Sequence, residues 1–185
     1  MRVIGGSAGS LRLQCPRGLQ IRPTADMIRE TLFNSIGPRV VEAAFCDLYA
    51  GCGSVGIEAA SRGACPVVLI ERNRRAVVAI EANLARTGLA GAAVIVRGDV
   101  RAAYADAARR WGPFEVVFAD PPYGLAQLEE LARRLIVAAE GVAPGGLVVI
   151  QHSARQELPG LPAPARVKSF GESVLSFFEA AGEAR

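Results

Sequence analysis

From residue 43 onward the chain repeats one alternation: a short apolar run, a turn, then a segment of helical length. The runs are "AFCDLY", "PVVLIE", "AAVIVR", "FEVVFAD" and "GLVVIQ", and the segments between them cover 54–63, 74–87, 100–110 and 125–140. Strands that are apolar without interruption, rather than at every second position, belong in a sheet covered on both faces. Alternating them with helices predicts parallel strands with helices packed on either side. The tail breaks the pattern. "ARVKSFGESVLSFFEA" reads as two strands joined at Gly171-Glu172, an antiparallel hairpin that closes the sheet. The expected fold is α/β, with a seven-stranded, mostly parallel sheet and an antiparallel C-terminal hairpin.

The residues before the repeat divide into an arm, 1–22, and the start of the main domain, 23–185. The arm alternates loosely with glycines between its short runs ("RVIGG", "LRLQC", "LQIRP"), which predicts a hairpin lying outside the repeat. It carries Arg2, Arg12, Arg17 and Arg22 and no acid, a distribution suited to phosphate contacts. The plainer reading is compositional, since the chain uses arginine almost to the exclusion of lysine. "RPTADMIRETLFNSIGP" then reads as a helix with Thr24 as N-cap and Asp26 in the first turn. Met27, Ile28, Leu32 and Ile36 form its predicted apolar stripe, and Gly37-Pro38 ends it.

Composition narrows the class. With 185 residues, 51% hydrophobic and 21% charged, the chain can bury an ordinary globular core and is not of disordered type. No apolar run approaches the roughly 20 residues of a membrane span, and the N-terminus lacks the apolar core of a signal peptide. The cysteines at 15, 46, 52 and 65 form no C-x-x-C pair, and His152 is remote from them in sequence. Reduced cytoplasmic thiols and no metal site are therefore expected. No heptad or exposed apolar strip suggests a dimer, so a monomer is expected.

"DLYAGCGSVGIEAA" places Gly51-x-Gly53-x-x-Gly56 directly after a strand and at the opening of a helix. Such glycines allow a sharp strand-to-helix turn and a close approach of backbone to a ligand. The spacing alone marks dinucleotide and S-adenosylmethionine sites alike. Glu71 ends the next strand, 20 positions after Gly51, where a carboxylate can accept from both hydroxyls of a ribose. Two features favour S-adenosylmethionine. Asp47 precedes the glycine loop, and an anion there suits an ammonium-bearing ligand but repels a pyrophosphate. "RGDV" ends the third strand, offering Asp99 to an adenine amine and the Val100 N–H to a ring nitrogen. Tyr49 and Arg72, beside the first two strand ends, complete the candidate cofactor set. Singly, Asp47 also reads as a solvated strand residue and Glu71 as an acid favouring the next helix dipole.

The fourth strand ends in Asp120-Pro121-Pro122-Tyr123. Prolines cannot continue a ladder, and they hold the preceding carbonyls in a rigid, non-helical turn. An exocyclic amine delocalises its lone pair into the ring, and methyl transfer requires that pair to be aimed at the methyl carbon. The Asp120 carboxylate and the Pro121 carbonyl can accept one amine hydrogen each, holding the nitrogen as charge develops. Tyr123 offers a flat face on which a base can stack. Amide nitrogens fit the same clamp, so the motif specifies a planar conjugated nitrogen rather than one molecule. A turn with a surface tyrosine is the plain alternative.

Together "RPTADMIRETLFNSI", "DLYAGCGSVGIEAASRGA", "IERN", "GDV", "ADPPYG" and "FGESVLSFFE" resemble the RsmD family, bacterial methyltransferases of guanine N2 in 16S ribosomal RNA. The parallel strands closed by an antiparallel pair likewise resemble the seven-stranded Rossmann-like methyltransferases. The resemblance implies S-adenosylmethionine held by the Asp47–Gly56 loop, Glu71 and Asp99, with Asp120 to Tyr123 facing the guanine. It also implies a partly assembled small ribosomal subunit as substrate, with ribosomal proteins helping to form the binding surface. The chain departs from the family where "IGGSAGSLRL" replaces the usual Arg-Gly-Arg continuation of the arm, which implies a weaker RNA grip. Arg22 and Arg29 are expected to compensate by facing phosphate or the cofactor carboxylate, or else to pair with Asp26 or Glu30. Two other readings share these features. A DNA amino-methyltransferase uses the same clamp but needs a larger target-reading segment; a non-catalytic RNA-binding assembly module needs no clamp.

Overall fold

The computed structural model describes residues 1–16, 26–121 and 125–180. Its centre is a seven-stranded sheet built from β1 (Phe45–Leu48), β2 (Val67–Glu71), β3 (Ala93–Arg97), β4 (Phe114–Ala119), β5 (Val142–Ser153), β6 (Arg166–Phe170) and β7 (Ser173–Glu179). The spatial order is β3-β2-β1-β4-β5-β7-β6. Strands β1 to β5 pair in parallel, while β7 runs antiparallel to both β5 and β6. The helices are α1 (Asp26–Ile36), α2 (Ser54–Ser61), α3 (Arg74–Thr87), α4 (Val100–Trp111) and α5 (Leu125–Ala132). The helix expected over 125–140 is α only to Ala132, after which Arg133–Val137 forms a wider π turn.

Uninterrupted burial of the central strands has a simple geometric cause, since neighbouring residues point to opposite faces of a sheet. Phe45, Leu69, Val116, Phe118 and Val149 enter the core beneath α1, α2 and α3. Cys46, Leu48, Val68, Ile70, Val117 and Ile150 enter the core beneath α4 and α5. The last strand on one side, β6, is exposed along most of its length and carries Arg166 and Lys168, charges that discourage pairing with another chain. Helix starts follow local chemistry. The Asn73 side chain accepts from the N–H groups of Arg75 and Ala76 to cap α3, and Asp99 accepts from Arg101 N–H to cap α4. No helix among the described residues is long and apolar enough to cross a membrane.

The first helix differs from its predicted stripe. Ile28, Leu32 and Ile36 are buried, but Met27 is 61% exposed and its place is taken by Arg29 and Phe33. The buried face therefore runs 28, 29, 32, 33, 36, one position round the helix from the expected one. The displaced face exists to hold the N-terminal hairpin. That hairpin is closed by Val3 N–H to Leu11 O at 2.9 Å and Ser10 N–H to Val3 O at 2.9 Å, with Arg2 and Arg12 bridged antiparallel. Val3, Ala8 and Leu13 are buried in the same core as α1 and α2, so the hairpin is packed against the main domain.

Polar ties from α2 help to hold it there. The fully buried Glu58 of α2 accepts from Ile4 N–H at 2.7 Å and Gly5 N–H at 2.9 Å, and pairs with Arg62 at 2.8 Å. One turn on, Ser61 Oγ donates to Gly5 O at 2.6 Å and accepts from Ala8 N–H at 2.9 Å. Truncating Glu58 strands two amide donors, each costing about 1–3 kcal/mol when left unsatisfied. Glu58→Ala is thus expected to lower unfolding free energy by at least about 2 kcal/mol. It should also speed hydrogen exchange at the Ile4 and Gly5 amides ahead of those in β1, and denaturant titration with exchange mass spectrometry checks both.

Candidate active site

The strand order puts β1 between β2 and β4, the point where connections leave in opposite directions and ligands of open α/β sheets bind. Each of the four neighbouring strands brings an acid to this edge. Asp47 lies in β1, Glu71 ends β2, Asp99 follows β3 and Asp120 follows β4. Asp47 feels the charge of both Glu71 and Asp120, so three of the four converge.

Asp47 is the buried member. Its Oδ2 accepts from Gly56 N–H at 2.8 Å, drawing the start of α2 down onto β1. Gly56 is required by that approach: a Cβ there would sit 2.7 Å from Leu69 Cδ2 and 3.2 Å from Asp47 Oδ2. Gly53 turns the chain with φ of 81°, a left-handed conformation that glycine adopts without steric cost. Burial pushes the Asp47 carboxyl from 3.8 up to about 8; the Gly56 bond opposes this, and Asp120 and Glu71 reinforce it.

Glu71 uses its two oxygens to brace adjacent turns, accepting from Gly51 N–H at 2.8 Å and Asn73 N–H at 2.7 Å. The glycine loop and the start of α3 are thereby hung on one carboxylate at the tip of β2, which keeps further lone pairs for a ligand hydroxyl. Tyr49 follows β1 with φ of 63°, which is uncommon for an aromatic residue and costs about 1–3 kcal/mol. It is half-buried, and burial pushes its phenol up, with Asp99 acting in the same direction and Arg101 and Arg72 against it. Tyr49 therefore lies within electrostatic reach of Asp99.

Asp99 is partly exposed and held by cations. Arg101 Nε donates to its Oδ1 at 3.0 Å, and Arg72 Nη1 lies 3.9 Å from its Oδ2. The Arg101 guanidinium is the main cause that keeps the Asp99 carboxyl below its usual range. Val100 opens α4, so its N–H belongs to the first turn, which a helix cannot satisfy from within. Arg101 and Asn73 are the site residues that the sequence reading missed. Their signal was the short polar spacing at a helix start, D-x-R and N-x-R.

Asp120 and Pro121 stand at the end of β4, next to β1 through the Leu48–Ala119 pairing. Pro122 and Tyr123 lie outside the described residues, as do Arg17, Arg22 and Thr24. Arg2 and Arg12 are exposed on the hairpin. Arg29 requires a correction: it is fully buried, pairs with Asp26 at 3.0 Å and donates to the Arg2 carbonyl. A guanidinium enclosed between helix and hairpin cannot reach an RNA phosphate. Its role is to fasten α1 to the N-terminal strand.

The sequence pattern of the family described as Conserved hypothetical protein 95 matches residues 1–179. The chain belongs to that family. The expectation of an RsmD-type chain is met by an Escherichia coli relative, ribosomal RNA small subunit methyltransferase D. It is 36% identical over 163 residues, covering 88% of this chain and 80% of that protein. A solved structure of a hypothetical protein from a Thermus species superposes with a TM-score of 0.80 at 32% identity, over 97% of this chain and 99% of that one. An RNA methyltransferase from Salinibacter ruber, solved with S-adenosyl-L-homocysteine, matches at a TM-score of 0.70 over 89% of this chain and 97% of that one. At 22% identity it supports the fold alone. The fold is the Rossmann-like methyltransferase fold, and in this chain the four acids lie in or just after its first four strands.

The raised Asp47 carboxyl has a consequence for stability. The folded chain favours the neutral acid, so this group's contribution is complete below about pH 4 and is lost as pH rises through about 8. Asp47→Asn keeps an acceptor for Gly56 N–H and cannot ionise. The variant should gain melting temperature relative to the parent as pH rises across that window, measured by calorimetry; parallel curves would mean that Asp47 titrates near its ordinary value.

Proposed function

We propose that this chain transfers the methyl group of S-adenosylmethionine to the N2 amine of a guanine in 16S ribosomal RNA during small-subunit assembly. The observation that supports this reading most is that Asp120 follows β4 next to β1, where its charge acts on Asp47. The residues present fit such a cofactor. Asp47 is a buried carboxyl whose ionised form is stabilised by a neighbouring cation, which an ammonium-bearing ligand supplies. Glu71 retains acceptor capacity for ribose hydroxyls, and Asp99 with the Val100 N–H matches the donor and acceptor edge of an adenine. When bound, S-adenosylmethionine supplies an electrophilic methyl on a positively charged sulfur.

The chain's own part is positioning and charge. Asp120 accepts one amine hydrogen and the Pro121 carbonyl accepts the other, which holds the nitrogen and favours a pyramidal lone pair. Asp120 stabilises the positive charge that develops on nitrogen and takes the proton once the methyl group has moved. No stronger base is needed, because the amine becomes acidic only after methylation. Tyr123 stacks on the base, a contact worth about 1–3 kcal/mol in proteins that bind single strands. The family membership supports an RNA substrate, and ribosomal proteins in the assembling particle extend the binding surface.

Labelled S-adenosylmethionine with small-subunit particles from cells lacking the native enzyme should place label in 16S RNA as N2-methylguanine, with none in DNA or protein. Label confined to DNA, or absent everywhere, overturns the reading. Asp120→Ala is expected to reduce turnover by at least about a hundredfold, the scale of losing one charge-stabilising group. Its affinity for S-adenosylmethionine should stay near that of the parent. Collapse of cofactor binding in this variant would show that β4 and the first three strands do not divide the work as proposed.

A further inference from the structure

We infer that a second, basic groove beside the N-terminal hairpin binds the phosphodiester backbone of the substrate RNA, with Arg86 as its inner cation. This rests on the reading of the chain as an rRNA methyltransferase and adds a contact surface to it. The groove is an open concavity of about 900 Å³ whose walls include Arg2, Ser10, Arg12, Gln14, Asp26 and Arg86.

The arrangement of charge calls for an anion. Arg2 and Arg12 are directly bridged across antiparallel segments, which puts their side chains on one face, where like charges repel. Arg86, in the last turn of α3, adds a third guanidinium to the same hollow. A cation near a helix C-terminus is favourable by itself, which accounts for Arg86 alone but not for three guanidinia facing one space. None of the three is in an ion pair among the described residues. The one acid in the wall, Asp26, is already bonded to Arg29. Guanidinium groups match phosphate oxygens in a two-pronged geometry, which suits a strand of phosphodiesters better than isolated carboxylates.

The groove is also joined to the cofactor loop. Asn83 is fully buried, accepts from Gln14 N–H at 2.8 Å and donates to Gln14 O at 2.8 Å. Its amide also reaches Cys52 O, in the glycine loop, at 3.1 Å. Asn83 and Arg86 are three positions apart on α3 and so lie on one side of it. One helix face therefore carries both the tie to the catalytic loop and the cation of the groove, and RNA held there is fixed in relation to the methyl-transfer edge.

The test uses the full chain, a single-stranded RNA oligonucleotide of small-subunit rRNA sequence, and fluorescence anisotropy across a salt series. Arg86→Glu should weaken RNA binding about five- to tenfold at low salt and flatten the salt dependence by about 0.7 in log–log slope, the value for one phosphate contact on a single strand. Arg86→Lys should retain most of the affinity. S-Adenosylmethionine affinity should be unchanged in both, which separates the effect from misfolding. Arg110→Glu makes the same charge change on α4, across the sheet, and serves as the control for net charge. Equal behaviour of Arg86→Glu and Arg110→Glu overturns the groove even if the parent methylates rRNA. Weakened RNA binding by Arg86→Glu in a parent that transfers no methyl to rRNA upholds the groove and rejects the proposed reaction. A parent that binds no RNA overturns the groove. Displacement of the RNA by polyglutamate at equal charge concentration would assign the groove to an acidic protein and overturn the RNA assignment.

Discussion

The bond from Gly56 N–H to the buried carboxyl of Asp47 organises the centre of this sheet and the loop that leaves it. It lies at the centre of the sheet, on the strand that has β2 on one side and β4 on the other. Closing that 2.8 Å contact brings α2 onto β1 and forces the intervening glycine loop to turn sharply. Glu71 then fastens the other side of the same loop through Gly51 N–H. Two acids from adjacent strands thus hold one loop. Their burial is costly unless donors or a cation satisfy them, which links the local geometry to the charge of a ligand.

The electrostatics of the edge are graded from the sheet centre outward. Asp47 is enclosed and its carboxyl is pushed up, while Asp99 is partly exposed and drawn down by Arg101. One acid is therefore held close to neutrality until a cation arrives, and the other remains ionised as an acceptor. The strained backbone of Tyr49, just after β1, is sustained by the surrounding structure. Such a gradient suits a ligand that is cationic at one end and a hydrogen-bonding heterocycle at the other.

A second organising set of contacts is remote from this chemistry. Glu58 and Ser61 of α2, together with Arg29 of α1, hold the N-terminal hairpin by its backbone. Through Arg29, helix α1 thus supports the hairpin instead of presenting a cation to solvent. Phe33 serves the same end, packing at 6.2 Å from Phe45 and beneath the Arg62 guanidinium. Because α2 begins at the glycine loop and ends at the hairpin, one short helix joins the two regions.

All seven strands and helices α2 to α4 were legible in the amino-acid order, because each depends on local pattern: unbroken apolar runs, intervening segments of helical length and glycines at turns. The acids at the strand ends were legible for the same reason, since the carboxyl end of a parallel strand is defined by its neighbours in sequence. What escaped was set by contacts between distant segments. Met27 and Arg29 exchange their expected places because the hairpin, whose Arg2 lies 27 positions before Arg29, lands on one side of α1. The raised Asp47 carboxyl and the gathering of Arg2, Arg12 and Arg86 likewise depend on burial and proximity created by packing. Sequence alone determined which elements form and which chemistry sits at their ends. The tertiary structure decided which of those groups are buried, paired or left to meet a ligand, because desolvation and charge coupling exist only once the segments are brought together.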